Sequence, residues 1–357
     1  MVAKKLSLLD QPQKCSTLDP RDMRSLIESF PKQFSAAADM ALSIRIPSPK
    51  SARSLVVAGL GGSAIGGDVV RSVLGKSLRL PLFVSRDYKL PAFVDAGSVV
   101  FACSYSGNTE ETLSAYDEAL QAHAAIICIT SGGRLAERAK TDSKPLISIP
   151  GGMPPRAALG YSALALLGSI QALGLIPDVR SDLEEAAALI ENLAQRYRLE
   201  VPLEQNPAKK IASRLFGKIA AIYGGSGLLA CAAARWRGQI EENAKNLALH
   251  HVLPEMNHNE ILGWEFPAAA LRQLGVVLLQ DKGDHPQVRR RFDLTKQILA
   301  QAAGDVQEVW SEGHSPLARA FSVIYLGDFV SLYLAFLNGV DPTRIDAIDY
   351  LKRELSS

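Results

Sequence analysis

The sequence predicts an α/β protein built from two doubly wound parallel-sheet domains, with a helical N-terminal arm and a C-terminal helix. Three observations carry that expectation. Short apolar runs alternate with helical stretches between residues 55 and 149, the pattern of parallel strands joined by crossover helices. A strand running into a glycine turn and then a helix occurs twice, at Leu55-Val-Val-Ala-Gly-Leu-Gly-Gly-Ser63 and at Lys218-Ile-Ala-Ala-Ile-Tyr-Gly-Gly-Ser-Gly227, which suggests a repeated fold. The chain also has 357 residues, enough for two domains with full cores.

Taken in order, residues 1–50 read as the arm. Met23, Leu26, Ile27, Phe30, Phe34 and Ala37 fall at helical spacing, with a break expected at Pro31. The first domain is expected over 51–178. Its strand candidates are the run from Leu55, then Leu82–Ser85, Val99–Cys103, Ala125–Thr130 and Leu146–Ile149. The helices between them are Ile65–Leu74, Glu110–His123 and Leu135–Lys140, and a very apolar helix over Ala157–Leu173 follows the stiff turn Pro154-Pro155-Arg156. An amphipathic helix, Asp182–Arg198, sits in a linker at 179–213. The second domain, 214–340, takes strands at the run from Lys218, Gly275–Gln280 and Val306–Trp310, with helices at Pro286–Ala302 and Pro316–Leu337. The tail, 341–357, is read as a helix over Asp341–Leu355 with Pro342 in its first turn. In two such halves, ligands belong at the carboxyl ends of the strands, where the glycine turns lie.

Composition narrows the function classes. A net charge of +2, with 47% apolar and 21% charged residues, describes a globular chain and gives no electrostatic case for nucleic acid or a membrane surface. Cys15, Cys103, Cys128 and Cys231 are widely spaced, three of them in apolar runs, so they read as buried thiols in a reducing compartment. The N-terminus has no apolar core long enough for a signal peptide, and no stretch reads as a membrane span, so a cytoplasmic location is expected.

The most informative stretch is Val99-Val-Phe-Ala-Cys-Ser-Tyr-Ser-Gly-Asn-Thr-Glu-Glu-Thr112. A buried strand ends in Ser104, Ser106 and Thr109 just ahead of a helix, which puts hydroxyls beside unpaired N–H groups and the positive end of the helix dipole. That suits a phosphate monoester. A capped helix with Thr109 and Thr112 as caps fits the same residues. Gly61, Gly62 and Ser63 in the first glycine turn supply further backbone and hydroxyl donors. The same turn is a degenerate dinucleotide fingerprint, with Ala64 at its third glycine and Asp87 about 20 residues on. Arg156, held on a proline turn, suits a phosphate or carboxylate, and equally a surface ion pair.

The densest polar segments are Glu241-Glu-Asn-Ala-Lys-Asn246 and Glu255-Met-Asn-His-Asn-Glu-Ile-Leu-Gly-Trp264. Adjacent carboxylates at a helix end offer a general base, and His258 offers a group that titrates near neutrality. A solvated helix face and a capping histidine explain them as well. A metal site would draw on His250, His251, His258 and Glu260, but the spacing lacks the one-turn His pair of metalloproteases.

Ser63, Ser104-Tyr-Ser-Gly-Asn-Thr-Glu-Glu-Thr112, Pro155-Arg156, Glu242-Asn-Ala-Lys and Asn257-His-Asn-Glu together resemble the bifunctional phosphoglucose/phosphomannose isomerase family, built from two sugar-isomerase (SIS) domains. The resemblance covers nearly the whole chain. It implies aldose–ketose isomerisation of glucose 6-phosphate and mannose 6-phosphate to fructose 6-phosphate through a cis-enediol, with neither metal nor cofactor. It implies that Glu242 is the base moving a proton between C1 and C2, which partial burial would favour. Glu241, about 100° away on the helix, cannot share its direction. By the same resemblance His258 opens the sugar ring, Lys352 assists at the ring oxygen or 1-hydroxyl, and Arg156 stabilises the enediolate. Gly62, Ser63, Ser104, Ser106 and Thr109 hold the phosphate, and Thr343 is the small group that leaves room for either C2 epimer. The family's partner subunit supplies the histidine, so a homodimer with a shared active site is implied, for which helices Ala157–Leu173 and Phe321–Leu337 would suit an interface. A phosphosugar sensor that binds without reacting is the alternative, and Glu242 with His258 discriminates the two. The isomerase half of an amidotransferase is a third reading, weakened by an arm too short for a glutaminase and by Cys15 not being terminal.

Overall fold

The computed structural model describes residues 6–47, 51–75 and 77–355. The expected end of the arm near Pro49 lies outside these residues. The chain forms two compact units. One comprises Phe30–Ala188 and Ser315–Ala318, and the other comprises the residues up to Ser29, Leu189–His314 and those from Arg319 onward.

The arm contains α1 (Pro12–Thr17), α2 (Met23–Glu28) and α3 (Phe30–Ser43). Asp22 caps α2, its carboxylate accepting from the Ser25 N–H. The break falls at Ser29 instead of Pro31, because Pro31 sits in the first turn of α3, where its missing N–H costs nothing.

The first unit holds a five-stranded parallel sheet of β1 (Ser54–Ala58), β2 (Leu82–Ser85), β3 (Ser98–Cys103), β4 (Ala125–Thr130) and β5 (Leu146–Ser148), in the order β2-β1-β3-β4-β5. Helices α4 (Gly61–Leu74), α5 (Glu110–Gln121) and α6 (Gly133–Thr141) make the crossovers, and α7 (Leu159–Ala172) follows a 3₁₀ turn at Pro155–Ala157. β1 and β3 are buried along their whole length, as central strands of a sheet covered on both faces must be. Their register pairs Val57 with Phe101 and Ala58 with Ala102, so the two strands end side by side. In this strand order the chain changes winding direction between β1 and β3, and the crevice beyond their carboxyl ends is where such sheets bind ligands.

The second unit includes the second half of α8 (Arg180–Tyr197), then α9 (Pro207–Leu215), β6 (Ile219–Gly225), α10 (Ala230–Ala244), β7 (Ala248–Leu253), a short α11 (Ala268–Leu271), β8 (Leu274–Gln280), α12 (Pro286–Ala302) and β9 (Asp305–Trp310), before α13 (Pro316–Asn338, from Arg319 onward) and α14 (Asp346–Leu355). Its parallel sheet runs β7-β6-β8-β9, so β6 and β8 hold the places that β1 and β3 hold in the other sheet. The expected two-sheet α/β architecture is therefore present.

Other expectations change. α9 was not read from the sequence, although Asn206 caps it by accepting from the Ala208 and Lys209 N–H groups and Pro207 takes its first position. The tail helix starts at Asp346, and Pro342 lies in the preceding turn. α13 is long and apolar enough by composition to cross a membrane, contrary to the sequence reading, and its apolar window is fully buried inside the protein. That burial also removes it as an interface element. α7 is likewise covered, packing against α3 and α4.

Candidate functional site

The first unit gathers the predicted phosphate-binding residues at the carboxyl ends of β1 and β3. A Cβ on Gly59 would lie 2.7 Å from the Cys103 carbonyl oxygen, so the two strand ends touch. From there the chain enters α4 and α5, and neither helix has a side-chain cap on its first N–H groups. Thr109 occupies the N-cap position of α5 but does not cap it. Its Oγ1 lies 2.8 Å from Ser104 Oγ, and Ser104 Oγ accepts from the Gly107 N–H at 3.1 Å. Thr112 Oγ1 turns back to the Cys103 carbonyl at 3.5 Å. The capped-helix reading thus fails at both threonines, leaving hydroxyls and a helix N-terminus facing one place.

Ser104 is 2% exposed and Ser63 9% exposed. Ser106 is exposed, and its Oγ accepts from the Asn108 N–H at 3.2 Å. The Ser104–Thr109 turn is buttressed by the turn after β4. Asn108 Oδ1 accepts from the Arg134 N–H, and the Leu135 N–H donates to the Gly107 carbonyl. Gly107 has φ +71, and a Cβ there would fall 1.8 Å from the Gly132 carbonyl oxygen, so only glycine fits.

Arg156 joins the same place. A Cβ on Gly62 would come 2.9 Å from the Pro155 carbonyl oxygen, which seats the start of α4 directly against the Pro155–Ala157 turn. Arg156 is 4% exposed, which rules out an exposed surface ion pair. Two residues that sequence reasoning missed hold this turn. Tyr105 Oη donates to the Pro150 carbonyl at 3.0 Å and accepts from the Met153 N–H at 3.1 Å, tying the hydroxyl loop to the segment leading into Arg156. Gln33 donates to the Ala157 carbonyl at 2.8 Å and accepts from the Gly160 N–H at 3.1 Å. A tyrosine inside a Ser-x-Ser string and a glutamine in an apolar helix were the only sequence signals.

In the second unit, Glu242 is half-buried near the end of α10. Glu241 diverges from it and pairs with Arg237 one turn back, at 3.1 Å. The rest of the motif holds the helix end. Asn243 Nδ2 donates to Ser331 Oγ, Asn246 Nδ2 to the Lys218 carbonyl, and Lys245 Nζ to three carbonyls. Thr343 lies in the turn after α13, its N–H donating to Asp341 Oδ1 at 2.7 Å. His258 is exposed at the end of a 3₁₀ turn, Glu255–His258, that follows β7. Its neighbours anchor that turn. Asn257 Nδ2 donates to Thr295 Oγ1 at 2.8 Å, and Tyr223 Oη to Glu260. Lys352 is on α14, which has no buried residue. The structure therefore puts Glu242 and Thr343 on tied segments, leaves His258 exposed on an anchored turn, and carries Lys352 on an exposed helix.

The other readings meet different fates. His250 and His251 are consecutive on β7, so they face opposite sides of the sheet. Among the described residues no three His, Cys, Asp or Glu side chains are grouped to hold a metal ion. Asp87 is exposed and accepts from its neighbour Tyr88 N–H at 2.6 Å. The second glycine turn is not a second anion cradle. A Cβ on Gly225 would meet the Asp284 carboxylate oxygens at 2.6 and 2.8 Å, and Asp281 stands beside them. A carboxylate occupies the place where the first unit gathers hydroxyls. Burial first, and the Asp281 charge second, push the Asp284 carboxyl up to about 6.

Comparison with known proteins follows the same outline. Residues 50–149 match the SIS domain, and residues 204–355 match the bacterial phospho-glucose isomerase C-terminal SIS domain. A bifunctional phosphoglucose/phosphomannose isomerase of Caldicellulosiruptor bescii is 45% identical over 331 residues, 92% of this chain and 98% of that one. The chain belongs to the bifunctional phosphoglucose/phosphomannose isomerase family. A member from Aquifex aeolicus is 41% identical over 85% of this chain and 90% of its own. Among solved structures, a hypothetical protein of Thermus thermophilus superposes with a TM-score of 0.73 at 16% identity, covering 100% of this chain and 96% of that one. The C-terminal domain of glucosamine-fructose-6-phosphate aminotransferase from Francisella tularensis gives 0.69 at 17% identity, over 90% and 98%. At those identities the likeness concerns the fold alone, and membership of the isomerase family rests on the sequence relatives.

Proposed function

We propose that this family member interconverts glucose 6-phosphate and mannose 6-phosphate with fructose 6-phosphate. The observation that carries the reading is the 45% identity to a bifunctional isomerase over 98% of that protein's length. The buried hydroxyls of Ser63 and Ser104, with Thr109 and the N–H groups at the starts of α4 and α5, support phosphate binding. Gly62 allows close approach and Ser106 adds a rim contact. Arg156 supplies positive charge where the enediolate forms.

Glu242 takes the proton from C2 of the aldose and returns one to C1. A proton leaves O2 and one arrives at O1, so the hexose phosphate is isomerised without change in composition. His258 assists ring opening, Lys352 acts at the ring oxygen or 1-hydroxyl, and Thr343 leaves room for either C2 epimer. The scheme calls on no metal or cofactor. The working unit is a homodimer whose histidine crosses to its partner. An exposed apolar stripe on α14 (Ile348, Leu351, Leu355) and exposed Leu262 and Phe266 near His258 support a protein partner. Four buried, free thiols support a cytoplasmic setting.

Chelator-dialysed protein, assayed on each aldose phosphate with coupled detection of fructose 6-phosphate, tests the reading, and turnover of neither substrate overturns it. The sensing alternative expects binding of both without turnover.

A further inference from the structure

Helix α10 ends on Lys245, which adopts the left-handed conformation, with φ 50 and ψ 34. Helix ends ordinarily put glycine there, because a side chain is disfavoured in that geometry. His123 and Ser143 take the same conformation just after α5 and α6, so what sets Lys245 apart is its side chain. Its Nζ donates to the carbonyls of Glu242 at 2.9 Å, Asn243 at 3.2 Å and Asp341 at 2.6 Å. An ammonium has three hydrogens, and here they reach three carbonyls. Two belong to the last turn of α10, where backbone oxygens point outward and attract a cation. The third belongs to the turn whose Asp341 carboxylate accepts from the Thr343 N–H.

Other bonds hold the helix end without Lys245. Asn243 Nδ2 donates to the buried Ser331 Oγ at 2.9 Å, and Asn338 Nδ2 donates to the Ala244 carbonyl at 3.0 Å. These join α10 to α13. The ammonium of Lys245 adds the bond to the Asp341 turn.

We propose that Lys245 is a positioning residue whose ammonium couples the helix end bearing Glu242 to the Asp341–Thr343 turn. It holds the base in register with the residue assigned to the C2 epimers. The roles of Glu242 and Thr343 rest on the proposed function, whereas the tie itself does not. Its chemistry does not touch the substrate. It sets the approach of a group that does, and small errors in such an approach are expensive in rate.

The test uses Lys245→Asn and Lys245→Gly, both of which keep the left-handed backbone while removing the ammonium. Expected are a melting temperature close to that of the wild type, faster amide exchange at Thr343 and the residues after it, and a kcat reduced roughly 10- to 100-fold. KM stays nearly unchanged, the ratio of mannose to glucose 6-phosphate turnover shifts, and Lys245→Arg restores part of the rate. Unchanged exchange at Thr343 overturns the tie. Faster exchange with wild-type kcat overturns the positioning role and leaves the isomerase reading standing. A joint collapse of kcat, KM and melting temperature reveals a general structural role and overturns the proposal. If the wild type isomerises neither substrate, the proposed function fails and the positioning role with it, while amide exchange still decides the tie.

Discussion

Ser104 Oγ and Thr109 Oγ1 lie 2.8 Å apart across the turn that ends β3 and starts α5. Each is therefore held to the other side of one helix N-terminus instead of capping it. One hydroxyl spends its single hydrogen on the other, and a phosphate oxygen that takes over that bond meets two hydroxyls already held in place. A hydrogen bond to a charged group is worth about 1.5–3 kcal/mol, so Ser104→Ala or Thr109→Val is expected to raise KM roughly 10- to 100-fold. kcat should change much less, because the reacting carbons are remote from the phosphate. Steady-state kinetics on both hexose phosphates checks this, and a fall in kcat at constant KM would speak against a binding role.

Tyr105 couples that turn to the Arg156 segment through its hydroxyl, donating to Pro150 and accepting from Met153. Tyr105→Phe leaves the ring packed and strands a carbonyl and an N–H. A loss of about 1–2 kcal/mol in stability is expected, with a fall in kcat larger than the change in KM if Arg156 serves the enediolate. Denaturant melts and kinetics on the same preparation separate the two effects.

Much of this was legible in the sequence where one signal dominated locally. β1, β3 and β4 are uninterrupted apolar runs, and buried parallel strands can hardly look otherwise. The hydroxyl string was legible because strand, glycine and helix start follow one another directly. β7 was not, since His250 and His251 interrupt its apolar run and edge strands need only one covered face. The roles of Tyr105, Gln33 and Lys245 were hidden for another reason. Tyr105 and Gln33 act on backbone groups distant in sequence, and Lys245 reaches one such group, the Asp341 carbonyl, to which residue type and spacing give no access. Asp284 shows the converse, a repeated glycine turn whose function is decided by a carboxylate from the loop after β8.

Glu241 and Glu242 offer an internal control for the base. Glu242→Gln is expected to lower kcat by at least about 100-fold, the lower range for loss of a general base, with substrate affinity retained. Glu241→Gln removes a one-turn pair with Arg237, worth about 0.3–0.5 kcal/mol, and should leave kcat near the wild-type value. Isothermal titration with fructose 6-phosphate alongside the assay checks both halves. Equal losses in the two variants would mean that neither carboxylate is the base.

Asp284 gives a pH prediction with a definite sign. Burial and the neighbouring Asp281 raise its carboxyl from the usual 3.8 to about 6 in the folded protein. The folded state therefore holds this proton more tightly than the unfolded chain does. Stability from the protonated form is fully present below the unfolded value and is lost as pH rises through about 6. Asp284→Asn keeps the group neutral at every pH. Its melting temperature is expected to exceed that of the wild type at pH 8 and to converge with it near pH 4 (roughly the unfolded carboxyl value). Partial exposure makes the gain modest. Thermal melts of both proteins across that range test it, and a wild-type advantage at pH 8 would mean that the Asp284 charge is favoured by Arg319 and Arg289 more than it is opposed by Asp281 and burial.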